Sequence, residues 1–212
     1  MNHYTLTHIV RNVAFRILLG VALVVALPSA QAGSSATEQM KGTVDQILQT
    51  LSDKNLAKEA RRETLTKLII DRFDFRSMSQ MTLATNWKGA SDEQKEKFIS
   101  LYSELLQSSY MSRIESYTDE KIVFGAEKIK NDKAMVDSKI ITKTVEIPVN
   151  YKLVLNGDAW QVYDVVIEEI SLIRSFRSEY DDIVRKEGMD GLLAKMQQKI
   201  AEIKSKPAVA KS

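Results

Sequence analysis

The hydrophobic residues in the first half of this chain recur at spacings of three and four positions. Such a spacing places apolar side chains on one face of an α-helix. It predicts helices over residues 37–52 and 56–72, a shorter helix rich in Met and aromatic residues within 73–87, and a long helix over 91–117. Ser91 and Gln94 match a capping box, in which each side chain accepts a hydrogen bond from the other residue's backbone N–H.

After residue 118 the spacing changes to two, which is typical of half-buried β-strands. Four segments show it: 121–124, 134–143, 145–155 and 159–168. Asn156-Gly157-Asp158 separates the last two with residues that tolerate a positive φ, so it predicts a hairpin. Helical spacing returns at Ser171 and continues to residue 205 with a break at Gly188. Helices, then an antiparallel sheet, then helices predict an α+β domain.

With a loop of even length, one face of that hairpin is almost entirely apolar and must be covered by another layer. Asp164 is the exception on this face, and a buried carboxylate requires a partner. It is either a structural carboxylate paired with a Tyr hydroxyl or an Arg, or part of a cavity mouth where an Arg meets a phosphate. Arg174 and Arg177 are the nearest basic residues in sequence. The whole face comprises Val149, Tyr151, Leu153, Leu155, Trp160, Val162, Asp164 and Val166.

The first 32 residues have the pattern of a secretory signal peptide. Arg11 and Arg16 precede an apolar run over 17–27, Pro28 ends it, and Ala30-Gln31-Ala32 fits the small-x-small cleavage motif. The run is too short to span a bilayer, which takes about 20 apolar residues. We therefore expect a cleavable signal peptide over 1–32, an exported α+β domain over 33–205 and a flexible tail over 206–212.

The amino-acid composition limits the chemistry that is available to residues 33–212. The chain has no Cys, and both His residues, His3 and His8, lie in the predicted signal peptide. A Ser-His-Asp or Cys-His nucleophile and a His or Cys metal site are therefore excluded from residues 33–212. Of the 30 basic residues two lie in the signal, which leaves 28 against 28 acidic ones. This balance does not favour a nucleic-acid surface or a polybasic membrane clamp.

Asp71 and Asp74 are a second pair of carboxylates whose spacing suits acid–base chemistry. Arg72 and Arg76 flank them, which favours a solvated ion-pair cluster instead. Catalysis by carboxylates alone stays open for this chain.

Short sequence segments that occur in a particular order indicate a relationship to a known protein family. The helical half contains Phe73-Asp74-Phe75-Arg76-Ser77-Met78-Ser79, Leu83, Trp87, Glu93-Gln94, Phe98, Leu105-Leu106 and Tyr110. The second half contains Ile147-Pro148-Val149-Asn150-Tyr151, Trp160-Gln161-Val162-Tyr163-Asp164-Val165, Ser171-Leu172, Phe176-Arg177-Ser178-Glu179-Tyr180 and Gly188-Met189-Asp190-Gly191-Leu192. Over about residues 37–204 these segments resemble the MlaC family of periplasmic phospholipid-binding proteins, also called toluene-tolerance proteins. The chain departs from that family at Ala84 and Glu169, where Gly is usual, and at Ser175, where Asn is usual.

The resemblance implies a curved antiparallel sheet wrapped by helices, related to the nuclear-transport-factor-2-like cone, that encloses an apolar cavity. It also implies a periplasmic carrier without enzymatic activity that shuttles phospholipid between the two membranes of a Gram-negative envelope and maintains outer-membrane lipid asymmetry. The implied partners are an inner-membrane ABC transporter with a ring of periplasmic lipid-binding subunits and an outer-membrane lipoprotein–porin complex. We expect no nucleic-acid partner, no stable membrane insertion and no cofactor besides the lipid cargo.

On this interpretation apolar residues of the sheet and of the helices facing it contact the acyl chains. Two long chains represent ~20 kcal/mol of transfer free energy, so only a comparably apolar interior can extract a lipid from a bilayer. Arg174, Arg177 and Asp164 are the candidates for polar groups at the head group or the cavity mouth. The predicted lining comprises Met78, Met81, Phe98, Leu101, Tyr102, Leu105, Val149, Tyr151, Leu153, Trp160 and Val162.

Two other functions stay open at this point. A carboxylate-dependent enzyme on the same fold would use Asp74 or Asp164 as acid or base. A periplasmic chaperone for apolar protein segments would differ from a lipid carrier only in its ligand.

Overall fold

The computed structural model of the chain describes residues 34–117 and 120–205. The predicted signal peptide and tail lie outside these ranges, so the domain limits stay a prediction. The helices are α1 (Ala36–Ser52), α2 (Lys58–Arg72), α3 (Phe75–Leu83), α4 (Asn86–Gly89), α5 (Asp92–Glu115) and α6 (Leu172–Ser205). The strands are β1 (Lys121–Lys130), β2 (Lys133–Ile141), β3 (Glu146–Asn156), β4 (Ala159–Ile167) and β5 (Ile170–Ser171).

The strands form one antiparallel sheet in the order β1-β2-β3-β4-β5. A meander of this kind needs only short turns, and the predicted Asn156-Gly157-Asp158 hairpin joins β3 to β4 with Gly157 at a φ of 61°. With helices covering one face of a curved sheet, the structure confirms the predicted α+β class. None of the helices within residues 34–117 and 120–205 combines the length and the hydropathy needed to cross a membrane.

Helices α1, α2, α5 and α6 begin and end within two residues of the predicted bounds, whereas the predicted helix over 73–87 is two helices, α3 and α4. Ser91 caps α5 with its hydroxyl accepting from the Gln94 N–H, and the Gln94 side chain accepts from the Ser91 N–H in return. Ser35 and Glu38 form the same capping box at α1, which the sequence analysis did not identify. Gly188 breaks α6 with a φ of 72°, as predicted.

Two buried clusters stabilise the domain. The first lies between α3, α5 and α6 and includes a group of stacked and edge-to-face rings formed by Phe98, Tyr102, Phe176 and Tyr180. Burial raises the pKa of Tyr102 and of Tyr180, so both hydroxyls stay protonated at neutral pH. The second cluster lies between the start of α1 and the inner face of the sheet.

Two β-bulges change the pattern expected from strict alternation. Lys152 pairs with Asp164 and Leu153 with Val162, so Tyr163 is an extra residue in β4. Beyond this bulge the faces of β4 exchange, and Val165 and Ile167 lie on the inner face opposite Tyr151 and Val149. The predicted placement of Asp164 and Val166 on the face of Tyr151 is therefore wrong.

The second bulge lies in β1, which is longer than the predicted segment of 121–124. Phe124 pairs with Ser138 and Glu127 with Val136, so Gly125 and Ala126 together oppose Asp137. This interruption of the alternating pattern is the reason that the sequence indicated only the first part of the strand. Such bulges bend and twist a strand, which contributes to the curvature of the sheet.

Ala84 holds an unfavourable backbone conformation at the end of α3. Its φ of 50° and ψ of −115° form a combination that residues with a Cβ rarely adopt. Ala84 is also a position at which the MlaC family usually has Gly. The departure from the family pattern is therefore located at a site of backbone strain.

We expect the substitution Ala84→Gly to stabilise the domain by about 1 kcal/mol, because relief of the strain exceeds the entropy that Gly adds to the unfolded chain. Urea denaturation measures this change as a higher midpoint with an unchanged slope. Ala90, which ends α4 with an ordinary φ of −78°, is the matched control, since Ala90→Gly should destabilise the domain. Equal effects at the two positions would contradict a strained Ala84.

Candidate functional site

A cavity of about 460 Å³ lies between the helices and the inner face of the sheet. Its walls are α1, the end of α2, the C-terminal half of α5 and the ends of the strands. The lining is mostly aliphatic and aromatic, so an apolar ligand can enter without leaving polar groups unsatisfied. The apolar lining residues are Met40, Val44, Ile47, Leu48, Leu51, Ile69, Phe73, Phe75, Leu106, Tyr110, Met111, Ile114, Tyr117, Ile122, Ile140, Ile147, Val149, Tyr151, Val165, Ile167 and Leu172.

A network of hydrogen bonds fixes α1 across the closed end of the cavity. Arg72 donates from Nη1 to the Gln39 side chain at 3.0 Å and to the Trp160 carbonyl at 2.7 Å, and from Nε to the Thr43 hydroxyl at 2.8 Å. Gln39 also accepts from the Trp160 N–H at 3.0 Å. Arg72 therefore links α1 and α2 to β4.

Arg72 is a charged group in the wall of an apolar cavity. Burial lowers the pKa of its guanidinium, while the nearby Asp71 acts in the opposite direction. The predicted solvated ion-pair cluster around Asp71 and Arg72 is not what the structure shows, because Arg72 is directed inward to neutral partners. Its hydrogen bonds compensate for the loss of water around the charge.

We take the mouth of the cavity to lie where the strands approach the end of α5, since charged lining residues are found there. Arg113, Tyr117, Glu120 and Thr142 line it at this end, and each is at least partly exposed. Arg113, Glu120 and Arg72 are the charged side chains among the lining residues. The charged groups are thus concentrated at the mouth and at the Arg72 network, with mostly apolar walls between them.

The structure places Val149 and Tyr151 in the cavity wall and the other predicted lining residues elsewhere. Tyr151 is partly buried as a residue, and burial of its hydroxyl raises the pKa of that group against the effect of a hydrogen bond with Ser138. The two residues are on the inner face of β3 and point toward the helices, as the alternation predicted.

The predicted α5 residues lie in the packed helical cluster and outside the cavity lining. Phe98, Leu101, Tyr102 and Leu105 lie between the first turn of α5 and just past its middle, on the part that contacts α3 and α6. The C-terminal half of α5 lines the cavity instead. This correction has a simple cause: α5 is long enough for its two halves to face different neighbours. Met78 and Met81 of α3 pack in the same cluster.

The remaining sheet residues are correctly placed on the inner face but at its far end. Leu153, Trp160 and Val162 pack against Ala36 and Met40 at the start of α1, where no space is left for a ligand. The prediction that Leu153, Trp160 and Val162 lie on the inner face is therefore correct. The start of α1 occupies the space next to them.

Most of the lining residues on the helices were not predicted from the sequence. Val44, Ile47, Leu48 and Leu51 recur at helical spacing in 37–52, so their shared face was visible as an apolar stripe. Nothing in that stripe indicated which element it would contact. Leu106, Tyr110 and Ile114 likewise form an apolar stripe at the end of α5 that lines the cavity.

Asp164 is a structural carboxylate and does not lie at the cavity mouth. It accepts from Lys152 Nζ at 3.0 Å, from the Ser171 hydroxyl at 2.8 Å and from the Ile173 N–H at 3.3 Å. The Ser171 hydroxyl in turn accepts from the Arg174 N–H at 3.2 Å. Asp164 and Ser171 together satisfy the first N–H groups of α6.

Neither predicted arginine occupies the cavity mouth. The Arg177 side chain donates to the Met81 carbonyl at the end of α3, with its Nε at 3.0 Å. Arg174 is exposed and absent from the cavity lining. The predicted partnership of Asp164 with an Arg or a Tyr hydroxyl is wrong, because the bulge at Tyr163 directs Asp164 toward Lys152 and α6.

Asp74 also has a structural role. It caps α3 by accepting from the Ser77 N–H at 2.9 Å, and it accepts from the Ser77 hydroxyl as well. Arg76 forms a surface ion pair with Glu96 and not with Asp71 or Asp74, so the predicted cluster is wrong for Arg76 as well.

An α+β domain with an internal, largely apolar cavity defines a binding protein for an apolar ligand. The chain belongs to the MlaC family, because the family model described as MlaC protein matches residues 41–198. It is 28% identical over 126 residues to the intermembrane phospholipid transport system binding protein MlaC of Haemophilus influenzae. That match covers 57% of this chain and 59% of the relative, so it spans about three-fifths of the relative's length.

A solved structure shows the same fold. It is the phospholipid-binding protein from Ralstonia solanacearum in complex with a phospholipid, with a TM-score of 0.74 and 19% sequence identity. The similarity covers 81% of this chain and 100% of that protein. At this identity the likeness establishes the arrangement of helices and strands.

Proposed function

We propose that this protein is a periplasmic phospholipid carrier of an intermembrane transport system. The observation that carries the proposal is the cavity of about 460 Å³ with apolar walls, in a chain of the MlaC family. This volume lies within the range of about 300–1,000 Å³ that is typical of ligand sites. The names of the Haemophilus and Ralstonia relatives, both of which bind phospholipid or act in its transport, support phospholipid as the ligand.

The shape of the site suits acyl chains with the head group toward solvent. Each methylene transferred from water to the apolar walls contributes about 0.8 kcal/mol, so binding strength comes from the chains. The polar lining residues at the mouth, among them Arg113, Glu120 and Thr142, are where the head group would lie. The carrier would receive and deliver lipid through an inner-membrane ABC transporter and an outer-membrane lipoprotein–porin complex.

A role without catalysis agrees with the carboxylates that were candidates for acid–base chemistry. Asp74 and Asp164 are held by hydrogen bonds to the starts of α3 and α6, and neither lines the cavity. A general acid or base must reach its substrate within hydrogen-bond distance. These contacts favour a binding function over an enzymatic one.

The protein purified from the periplasm without detergent is expected to contain phospholipid in near-stoichiometric amount. Native mass spectrometry measures the added mass, and organic extraction followed by lipid analysis identifies the ligand class. A protein that is folded yet free of lipid after mild purification would contradict the proposal. Bound peptide in place of lipid would favour the chaperone interpretation.

A further inference from the structure

One nitrogen of the Arg72 side chain is not used by the protein. Nε and Nη1 donate to neutral acceptors, whereas Nη2 forms no hydrogen bond within the described part of the chain. Nη2 also keeps some accessible surface, unlike the fully buried side-chain atoms that lack a partner, such as the Tyr180 hydroxyl. Because Arg72 lines the cavity, its remaining N–H donors are available to a bound molecule.

The positive charge of Arg72 is also not neutralised by the protein. Its partners are an amide, a hydroxyl and a backbone carbonyl, and no ion pair to Arg72 occurs within residues 34–117 and 120–205. The charged residues within two positions of Arg72 or of these partners are exposed, apart from Asp74, which caps α3. They are Glu38, Lys41, Asp45, Asp71, Asp74 and Asp158. A guanidinium that has only neutral partners in an apolar wall attracts a negatively charged ligand group.

We propose that the cavity binds a second class of lipid besides phospholipid, namely a long-chain carboxylate such as a free fatty acid, with its carboxylate on Arg72 Nη2. The inference rests on the proposed function only in that the same cavity accepts acyl chains. Hydrogen bonds between a guanidinium and a carboxylate are charge-assisted and roughly twice as strong as neutral ones. The apolar walls then contact the chain, and Arg72 selects its terminal group.

The closed end of the cavity has room for a carboxylate and not for a phospholipid head group. There Trp160 packs against Ala36 and Met40 at the start of α1. A carboxylate is a terminal group with two oxygens, whereas a phosphodiester carries glycerol on one side and the head-group substituent on the other. The smaller oxyanion therefore suits Arg72, and a phospholipid keeps its head group at the mouth.

The length of the cavity suits one acyl chain between Arg72 and the mouth. Trp160, whose carbonyl binds Arg72, and Ile167, which lines the cavity, lie at opposite ends of β4, about 20 Å apart for a strand of this length. An acyl chain that spans half of a bilayer's hydrocarbon core is roughly 15 Å long. The walls along this distance are mostly apolar, so the methylene groups leave water when the carboxylate reaches Arg72.

The opposite orientation, with the carboxylate at the mouth, is less favourable. Arg113 is exposed there and shares this end of the cavity with Glu120. A carboxylate beside Arg113 would therefore compete with water and meet a like charge. The half-buried Arg72 lies in an apolar wall, where the lower local dielectric strengthens the same hydrogen bond.

Ligands that differ only in their terminal group test the carboxylate site. Delipidated protein is titrated in a calorimeter with hexadecanoate and with hexadecanol, which have chains of equal length. We expect the wild-type protein to bind hexadecanoate about thirtyfold more tightly. Arg72→Met should remove this preference without weakening hexadecanol binding. Lys41→Met is the matched control, because it removes an exposed positive charge from α1 and should keep the preference.

A measurement on the wild-type protein covers the case in which Arg72→Met does not fold. The isotope-labelled carboxyl carbon of hexadecanoate reports its ionisation by NMR. A guanidinium partner lowers the pKa of a carboxyl, so bound hexadecanoate should titrate about one pH unit or more below hexadecanoate in neutral phospholipid vesicles. The lowered pKa should persist in Arg113→Met protein, which distinguishes a carboxylate at Arg72 from one at the mouth.

Equal affinities for the acid and the alcohol, or a carboxyl that titrates as it does in vesicles, would overturn the carboxylate site. A preference that Arg113→Met abolishes and Arg72→Met retains would overturn it as well. Phospholipid in the protein as purified is measured separately. Its absence would overturn the proposed function while a preference for hexadecanoate still supports the carboxylate site, and bound phospholipid without that preference would do the reverse.

Discussion

Replacing Ile47 by Asp is expected to empty the cavity of phospholipid while the domain stays folded. Ile47 lies on α1, lines the cavity and is only half-buried, so no packed core depends on it. A carboxylate at this position would face the acyl chains without a partner. The binding free energy should therefore weaken by about 1–3 kcal/mol, which corresponds to a loss in affinity of about tenfold to a hundredfold.

Native mass spectrometry of the purified variant measures the bound lipid, and thermal unfolding followed by circular dichroism measures the fold. Gln46→Asp is the matched control, because Gln46 precedes Ile47 on the same helix and is exposed. Leu105→Asp should behave differently from both, since Leu105 lies in the packed cluster and its substitution should unfold the domain. Lipid retained in folded Ile47→Asp protein would show that the ligand occupies another site.

Replacing Asp164 by Ala is expected to destabilise the domain by about 3 kcal/mol, because two buried donors and the partly exposed Lys152 lose their acceptor. Asp164 is only 4% exposed, and it joins Lys152 of β3 to Ser171 and Ile173 at the start of α6. Its loss leaves the Ser171 hydroxyl and the Ile173 N–H unsatisfied away from water. The partly exposed Lys152 can reach solvent, which limits the penalty.

Urea denaturation gives the change in the free energy of unfolding. Asp45→Ala on the exposed face of α1 serves as the control and should change stability by less than ~0.5 kcal/mol. Asp164→Asn should lie between wild type and Asp164→Ala, since an amide oxygen still accepts from Ser171 but carries no charge for Lys152. Unchanged stability together with a loss of bound lipid would instead indicate that Asp164 has a ligand-binding role.

Local sequence signals predicted the elements of this fold well. The capping box of Ser91 and Gln94, the Asn156-Gly157-Asp158 hairpin and the break at Gly188 each depend on residues within a few positions. Because these interactions are short in range, the sequence contains the information needed to recognise them. The order of helices and strands then limits the fold class.

The position of the cavity depended on long-range packing that the sequence pattern does not report. The apolar stripe of α5 continues from Phe98 to Ile114, yet only its second half lines the cavity, because α3 and α6 cover the first. The bulge at Tyr163 could likewise not be predicted from the sequence, because Val165, Val166 and Ile167 are all apolar and fit either face of the sheet. Asp164 on an apolar face was the one sign that the assumed alternation failed.

The Arg72 network also has a consequence for the order of folding. Gln39 in the first helix and Trp160 in the fourth strand are 121 residues apart, yet their hydrogen bond closes one end of the cavity. A contact between such distant segments carries a large loop-closure entropy and forms late. The ligand chamber therefore exists only once nearly the whole domain has been synthesised and assembled, and a partly folded chain offers exposed apolar faces with no enclosed volume. Cargo loading is in this respect the final step of folding, so phospholipid should raise the free energy of unfolding and leave the rate of refolding unchanged.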